Sequence, residues 1–113
     1  MARRLKVACL LVWGMVGGSV TASAYSLMGA GADSCAIWTA DRQDPKSKAS
    51  LQDTSWVRGF LSGIGFVGSE KDDPLDGVEA VDVDAWIDKY CLANSVKSIA
   101  AAAAAFYYYH PHK

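Results

Sequence analysis

Apolar residues recur along this chain at helical spacing. Val57, Phe60, Leu61, Ile64 and Val67 fall at i, i+3, i+4, i+7 and i+10, the signature of one buried helix face. The same pattern predicts four helical segments and no strand. Ser34 or Asp33 can cap a first helix, on which Cys35, Trp38 and Thr39 share a face and which Asp44-Pro45 ends. Ser50-Leu51-Gln52-Asp53 is a capping-box variant ahead of the second helix, and Gly68 stops it. Asp82 can cap a third helix with Val83, Trp86, Ile87 and Tyr90 inward and Cys91 in its last turn. Asn94 or Ser95 caps the fourth, which runs through Val96, Ile99 and Ala100 to Ala105 until Pro111. The expected fold is all-α, a small bundle of about four helices. Trp38, Val57, Phe60, Leu61, Ile64, Trp86, Ile87 and Tyr90 form its expected core.

Two surface features leave alternatives open. Gly59 and Gly63 lie four apart on the second helix, and the alanine run gives the fourth a thin surface. Either the two surfaces pack closely, as small-residue faces do in membranes, or the glycines only relax the helix, at roughly 1 kcal/mol each relative to Ala. Tyr107, Tyr108 and Tyr109 would point about 100° apart on a helix, so one core cannot bury all three. Fraying of the end or cover by a partner would account for the remainder.

The first 24 residues stand apart from this pattern. Arg3, Arg4 and Lys6 precede a mostly apolar run from Val7 to Val20, and Ala22-Ser23-Ala24 forms a small-residue cleavage site. This reads as a secretory signal peptide. The apolar run is shorter than the roughly 20 residues a membrane span requires. Cleavage would leave residues 25–113 as a single domain of 89 residues from the full 113. Three of the 11 basic residues lie in the leader, so 8 remain against 12 acidic ones, a net charge of −4. A strongly basic nucleic-acid binder is excluded. The expected location is the periplasm or outside the cell, without membrane attachment after cleavage.

Export changes the reading of the cysteines. Cys9 leaves with the leader, and Cys35 and Cys91 remain. Two cysteines in a small exported domain point to one disulfide, Cys35–Cys91. The alternative is two buried free thiols.

Candidate chemistry is sparse. Gly63-Ile64-Gly65-Phe66-Val67-Gly68 matches G-x-G-x-x-G, with Asp88 twenty residues on, but a helical pattern runs into it where a dinucleotide site needs a strand. The loop over 69–80 carries Glu70, Asp72, Asp73, Asp76 and Glu79 against Lys71 alone. Aligned as a calcium loop with Gly77 at position 6, it places Pro74 at position 3 and Val83 at position 12, where ligands are required. His110 and His112 close the chain with no further His or free Cys to complete a metal site or a catalytic triad. The reading is non-enzymatic, with no catalytic residue, metal or cofactor. Asp72, Asp73, Asp76 and Glu79 remain as a candidate partner-binding patch that would steer association with a basic surface. Asp53 and Asp82, read as caps, are expected to titrate below the usual carboxylate range when folded.

The order of short blocks resembles known exported families. Ser34-Cys35-x-x-Trp38 is followed by Trp56-Val57-x-Gly59-Phe60-Leu61-Ser62-Gly63, an Asp-bearing loop, Trp86-Ile87-Asp88-x-Tyr90-Cys91-x-x-Asn94, and an Ala-rich helix ending at Phe106. This is similar to the periplasmic Rap/Tai-type immunity domains of type VI secretion. Ser95 stands where that family commonly has Pro after Asn. The resemblance implies a small helical protein that binds and blocks a cell-wall amidase effector, often as a homodimer. A second likeness is to HdeA/HdeB-like acid-stress chaperones, which share the size, the helices and a disulfide tying an early helix to a Cys ahead of the last one. The two expectations differ in partner: one specific effector, or many unfolded clients.

Overall fold

Each helix begins where a residue in extended conformation hands over to the first turn. A computed structural model describes residues 25–69 and 72–110, so residues 1–24, with the expected leader and cleavage site, lie outside the described residues. A short 3-10 turn, Gly29–Ala32, precedes α1 (Cys35–Asp41), α2 (Lys48–Val67), α3 (Ala80–Ala93) and α4 (Ile99–Tyr109). Ser34 caps α1, its Oγ accepting from the Ile37 amide at 3.3 Å. Among the described residues there is no strand, and one isolated bridge pairs Ser34 with Ser98. The fold is an all-α bundle of four helices tied by a Cys35–Cys91 disulfide.

Three of the expected caps move. The α2 cap is Ser47, whose Oγ accepts from the Ser50 amide at 3.1 Å, and Ser50 and Asp53 are buried inside the helix. Glu79 occupies the α3 cap without a side-chain bond, and Asp82 lies in the first turn. Ser98 caps α4 by accepting from the Ala101 amide at 3.0 Å. Asn94 instead closes α3, its Nδ2 donating to the Tyr90 carbonyl at 2.9 Å. Val96 therefore lies outside α4 and is exposed. The reason is a backbone splice between the starts of α1 and α4. Cys35 N–H donates to Lys97 O at 2.7 Å, Ala36 N–H to Ser95 O at 3.0 Å, and Ile99 N–H to Asp33 O at 2.8 Å. Residues 95–97 satisfy donors that the first turn of α1 would otherwise leave open.

The interior follows the apolar stripes. Trp38, Val57, Leu61 and Ile87 are fully buried, and Phe60, Ile64, Trp86 and Tyr90 pack partly buried against them. Val83, Ile99, Ala102, Ala103 and Phe106 complete the core. Val67, the last position of the α2 pattern, is exposed because the helix outruns the core at its C-terminal end. The alanines let α4 lie deep in the bundle: Ala102 and Ala103 have no exposed surface. Gly59 and Gly63 do not face it. Both are exposed, and a Cβ added at either would meet no atom within 4 Å. The glycine that does permit close approach is Gly31, where a Cβ would stand 2.1 Å from the Trp56 ring. Trp56 holds the 3-10 turn from above, its Nε1 donating to the Met28 carbonyl at 2.8 Å.

Antiparallel faces of α1 and α3 carry a polar seam beside the disulfide. Asp88 lies one turn before Cys91, and Trp38 lies one turn after Cys35. Trp38 Nε1 donates to Asp88 Oδ1 at 2.7 Å, and the Arg42 guanidinium donates to both Asp88 oxygens, at 2.9 and 3.1 Å. A forked pair of this kind fixes orientation as well as charge. That hydrogen bond, with the Asp88 charge, raises the Arg42 guanidinium above its ordinary value against the opposing effect of burial.

Candidate functional site

The acidic loop folds back onto the last turns of α2. A Cβ at Gly65 would stand 2.6 Å from Asp73 Oδ1, so a side chain there would push the Asp73 carboxylate aside. Asp73 accepts from the Leu75 amide at 3.0 Å, and Asp72 accepts from the Ser69 hydroxyl at 2.9 Å. Pro74 is buried beneath them. Asp72, Asp76 and Glu79 are exposed and Asp73 is half-buried. Glu70 and Lys71 lie outside the described residues.

Ahead of this loop in the chain, the end of α2 carries two exposed apolar side chains that the sequence pattern does not single out as surface. Phe66 is 90 % exposed and Val67 82 %. The end of α2 therefore exposes a bare aromatic ring just before the acidic loop in the chain. The signal for it is Phe66 falling outside the stripe formed by Val57, Phe60, Leu61 and Ile64. At the other end of the chain, Tyr108 and Tyr109 are exposed, Tyr107 is half-buried, and His110 stacks on Phe106 at 4.4 Å between ring centres. His112 lies outside the described residues.

The G-x-G-x-x-G stretch does not form a phosphate-binding turn. Its residues 63–67 are the helical end of α2, and Gly68 is the cap. Among the described residues, no group of three or more His, Cys, Asp or Glu is arranged to hold a metal ion. No described helix is long and apolar enough to cross a membrane.

A second polar site was not legible in the motifs. Asp33 follows the 3-10 turn, Asp41 ends α1, and Asp53 lies in the second turn of α2. They line one pocket of about 410 Å³ together with Gly29, Ala30 and Gln52. Asp53 is 3 % exposed, and its Oδ2 has no hydrogen-bond donor. Burial raises the Asp53 carboxyl from 3.8 to about 7, helped by the hydrogen bond with Asp41 and by the charges of Asp41 and Asp33. The expectation that Asp53, as a cap, titrates low is thus reversed: it faces inward, and burial raises its carboxyl. The overlooked signal is its register, since Asp53, Val57 and Leu61 fall at i, i+4 and i+8, on the buried stripe itself.

Compared with known proteins, the chain matches no family model, no curated protein and no solved structure.

Proposed function

We propose that this chain is an exported, non-enzymatic protein-binding domain that acts as an immunity-like inhibitor of a cell-wall-targeting effector. The observation that carries the reading is the pair of exposed apolar side chains that ends α2, Phe66 and Val67, followed in the chain by a loop that exposes Asp72, Asp76 and Glu79. An exposed aromatic ring and a set of exposed charges suit a specific protein partner, the ring supplying affinity and the charges steering encounter. The leader-like first 24 residues and the Cys35–Cys91 bond support an oxidising compartment. The block order shared with Rap/Tai-type immunity domains supports an amidase effector as the partner and the periplasm as the place.

The test is to look for a secreted cell-wall amidase encoded beside this gene and to measure its inhibition by this protein. Stoichiometric inhibition is expected, with an association rate that falls with salt. Replacing Asp72, Asp73 and Asp76 by Asn and Glu79 by Gln should slow association and flatten its salt dependence. Phe66→Asp should raise the dissociation rate. Full amidase activity in the presence of excess protein would overturn the reading.

A further inference from the structure

The three-carboxylate pocket has an unmet need. Asp33, Asp41 and Asp53 come from three different segments, and no cationic side chain lines the space between them. α4, which also packs on the 3-10 turn, carries no charged residue. Asp53 Oδ2 is withdrawn from water with no donor aimed at it. A buried acceptor in that state costs free energy until a proton or another donor reaches it. At acid pH the proton that Asp53 itself takes up removes the charge. Once Asp53 is ionised, Oδ2 has no donor among the described residues as they are placed.

We propose that this pocket binds the cationic end of a basic side chain, a guanidinium or ammonium group, presented by the partner protein. A volume of about 410 Å³ admits such a group with room for its stem. A guanidinium brings several N–H donors in a fixed fork, which suits carboxylates converging from different elements. The cation takes the place of the proton, so binding strengthens as pH rises through neutrality and releases a proton. The arrangement makes the pocket selective for N–H donors over cations without them. This site deepens the inhibitor reading and rests on it for the identity of the partner, but the chemistry of the pocket is testable without any partner.

The experiment is carbon-detected NMR titration of the aspartate carboxyls in the purified protein, with methylguanidinium as probe. Saturable binding is expected, and the Asp53 midpoint should fall by about one pH unit or more, as an opposite charge at contact distance brings about. Asp53→Asn and Asp41→Asn should each remove the saturable response while the helical circular dichroism persists. Tetramethylammonium at equal concentration, which has charge but no N–H, should leave the midpoint where sodium chloride leaves it. Equal effects of methylguanidinium and tetramethylammonium would overturn the proposal and leave a proton-sharing pair. A response to calcium with none to methylguanidinium would overturn it in favour of a metal. Because the probe is a small cation, an amidase that escapes inhibition sinks the inhibitor reading and leaves this result unaffected. A silent pocket in a protein that does inhibit sinks the pocket alone.

Discussion

The Trp38 indole donates to Asp88 Oδ1 at 2.7 Å across the α1–α3 seam, and the same carboxylate takes both arms of Arg42. Trp38 has no exposed surface, so its N–H depends on that oxygen. Asp88→Ala should cost about 1–3 kcal/mol, the penalty of an unsatisfied buried donor. Asp88→Asn keeps an acceptor for Trp38 and gives up the charge on Arg42, so its loss should be smaller. Urea unfolding midpoints of the two variants check the order. Equal losses would mean that the ion pair, and not the indole bond, dominates.

The disulfide closes a sequence separation of 56 residues. A cross-link of that span stabilises by about 4 kcal/mol on the chain-entropy model. The paired Cys35→Ser and Cys91→Ser variant should lose a comparable amount in denaturant unfolding. The intact protein should weigh two hydrogens less than its reduced form. Free thiols in the native protein would contradict the bond.

Asp53 sets a pH dependence opposite to that of a capping carboxylate. Its folded value, about 7, lies above its ordinary 3.8. The folded state therefore binds the proton more tightly than the unfolded chain. The associated stability is fully present below the ordinary value and is lost as pH rises through about 7. The melting temperature should fall between about pH 4 and pH 8 through this group, and Asp53→Asn should flatten that part of the profile. Calorimetry across the range checks the sign. A wild-type profile rising over the same interval, with Asp53→Asn parallel to it, would contradict the assignment.

The glycines separate by environment. Gly59 and Gly63 have ordinary negative φ and open space around the missing Cβ. Ala at either should stabilise by about 0.5–1 kcal/mol through helix propensity. Gly31→Ala drives a Cβ into the Trp56 ring and should cost about 1–3 kcal/mol, the range for overpacking. Thermal melts of the three variants, with Trp fluorescence for Gly31→Ala, read out both signs.

Helix number and the main core residues were legible because periodicity reports burial directly. Val57, Leu61 and Ile87 needed nothing beyond their spacing. Helix starts were less legible because serines at 47, 50, 95 and 98 all satisfy the local capping rule. The choice between Ser95 and Ser98 is made by the backbone bonds from Cys35, Ala36 and Ile99, a tertiary fact with no local trace. The acidic loop was visible as composition. The Asp33–Asp41–Asp53 pocket depends on which residues three chain segments bring together. Charge alone reads an Asp as solvated; the buried register of Asp53 was the one clue against that.

The inhibitor reading requires one specific partner and no general affinity for unfolded chains. The most direct measurement independent of any partner is suppression of aggregation of unrelated client proteins from neutral pH down to about pH 2, where Asp and Glu are protonated. No protection at any pH is predicted, even if acid expands the bundle. Protection that appears only below about pH 3 would contradict the account and identify an acid-activated chaperone.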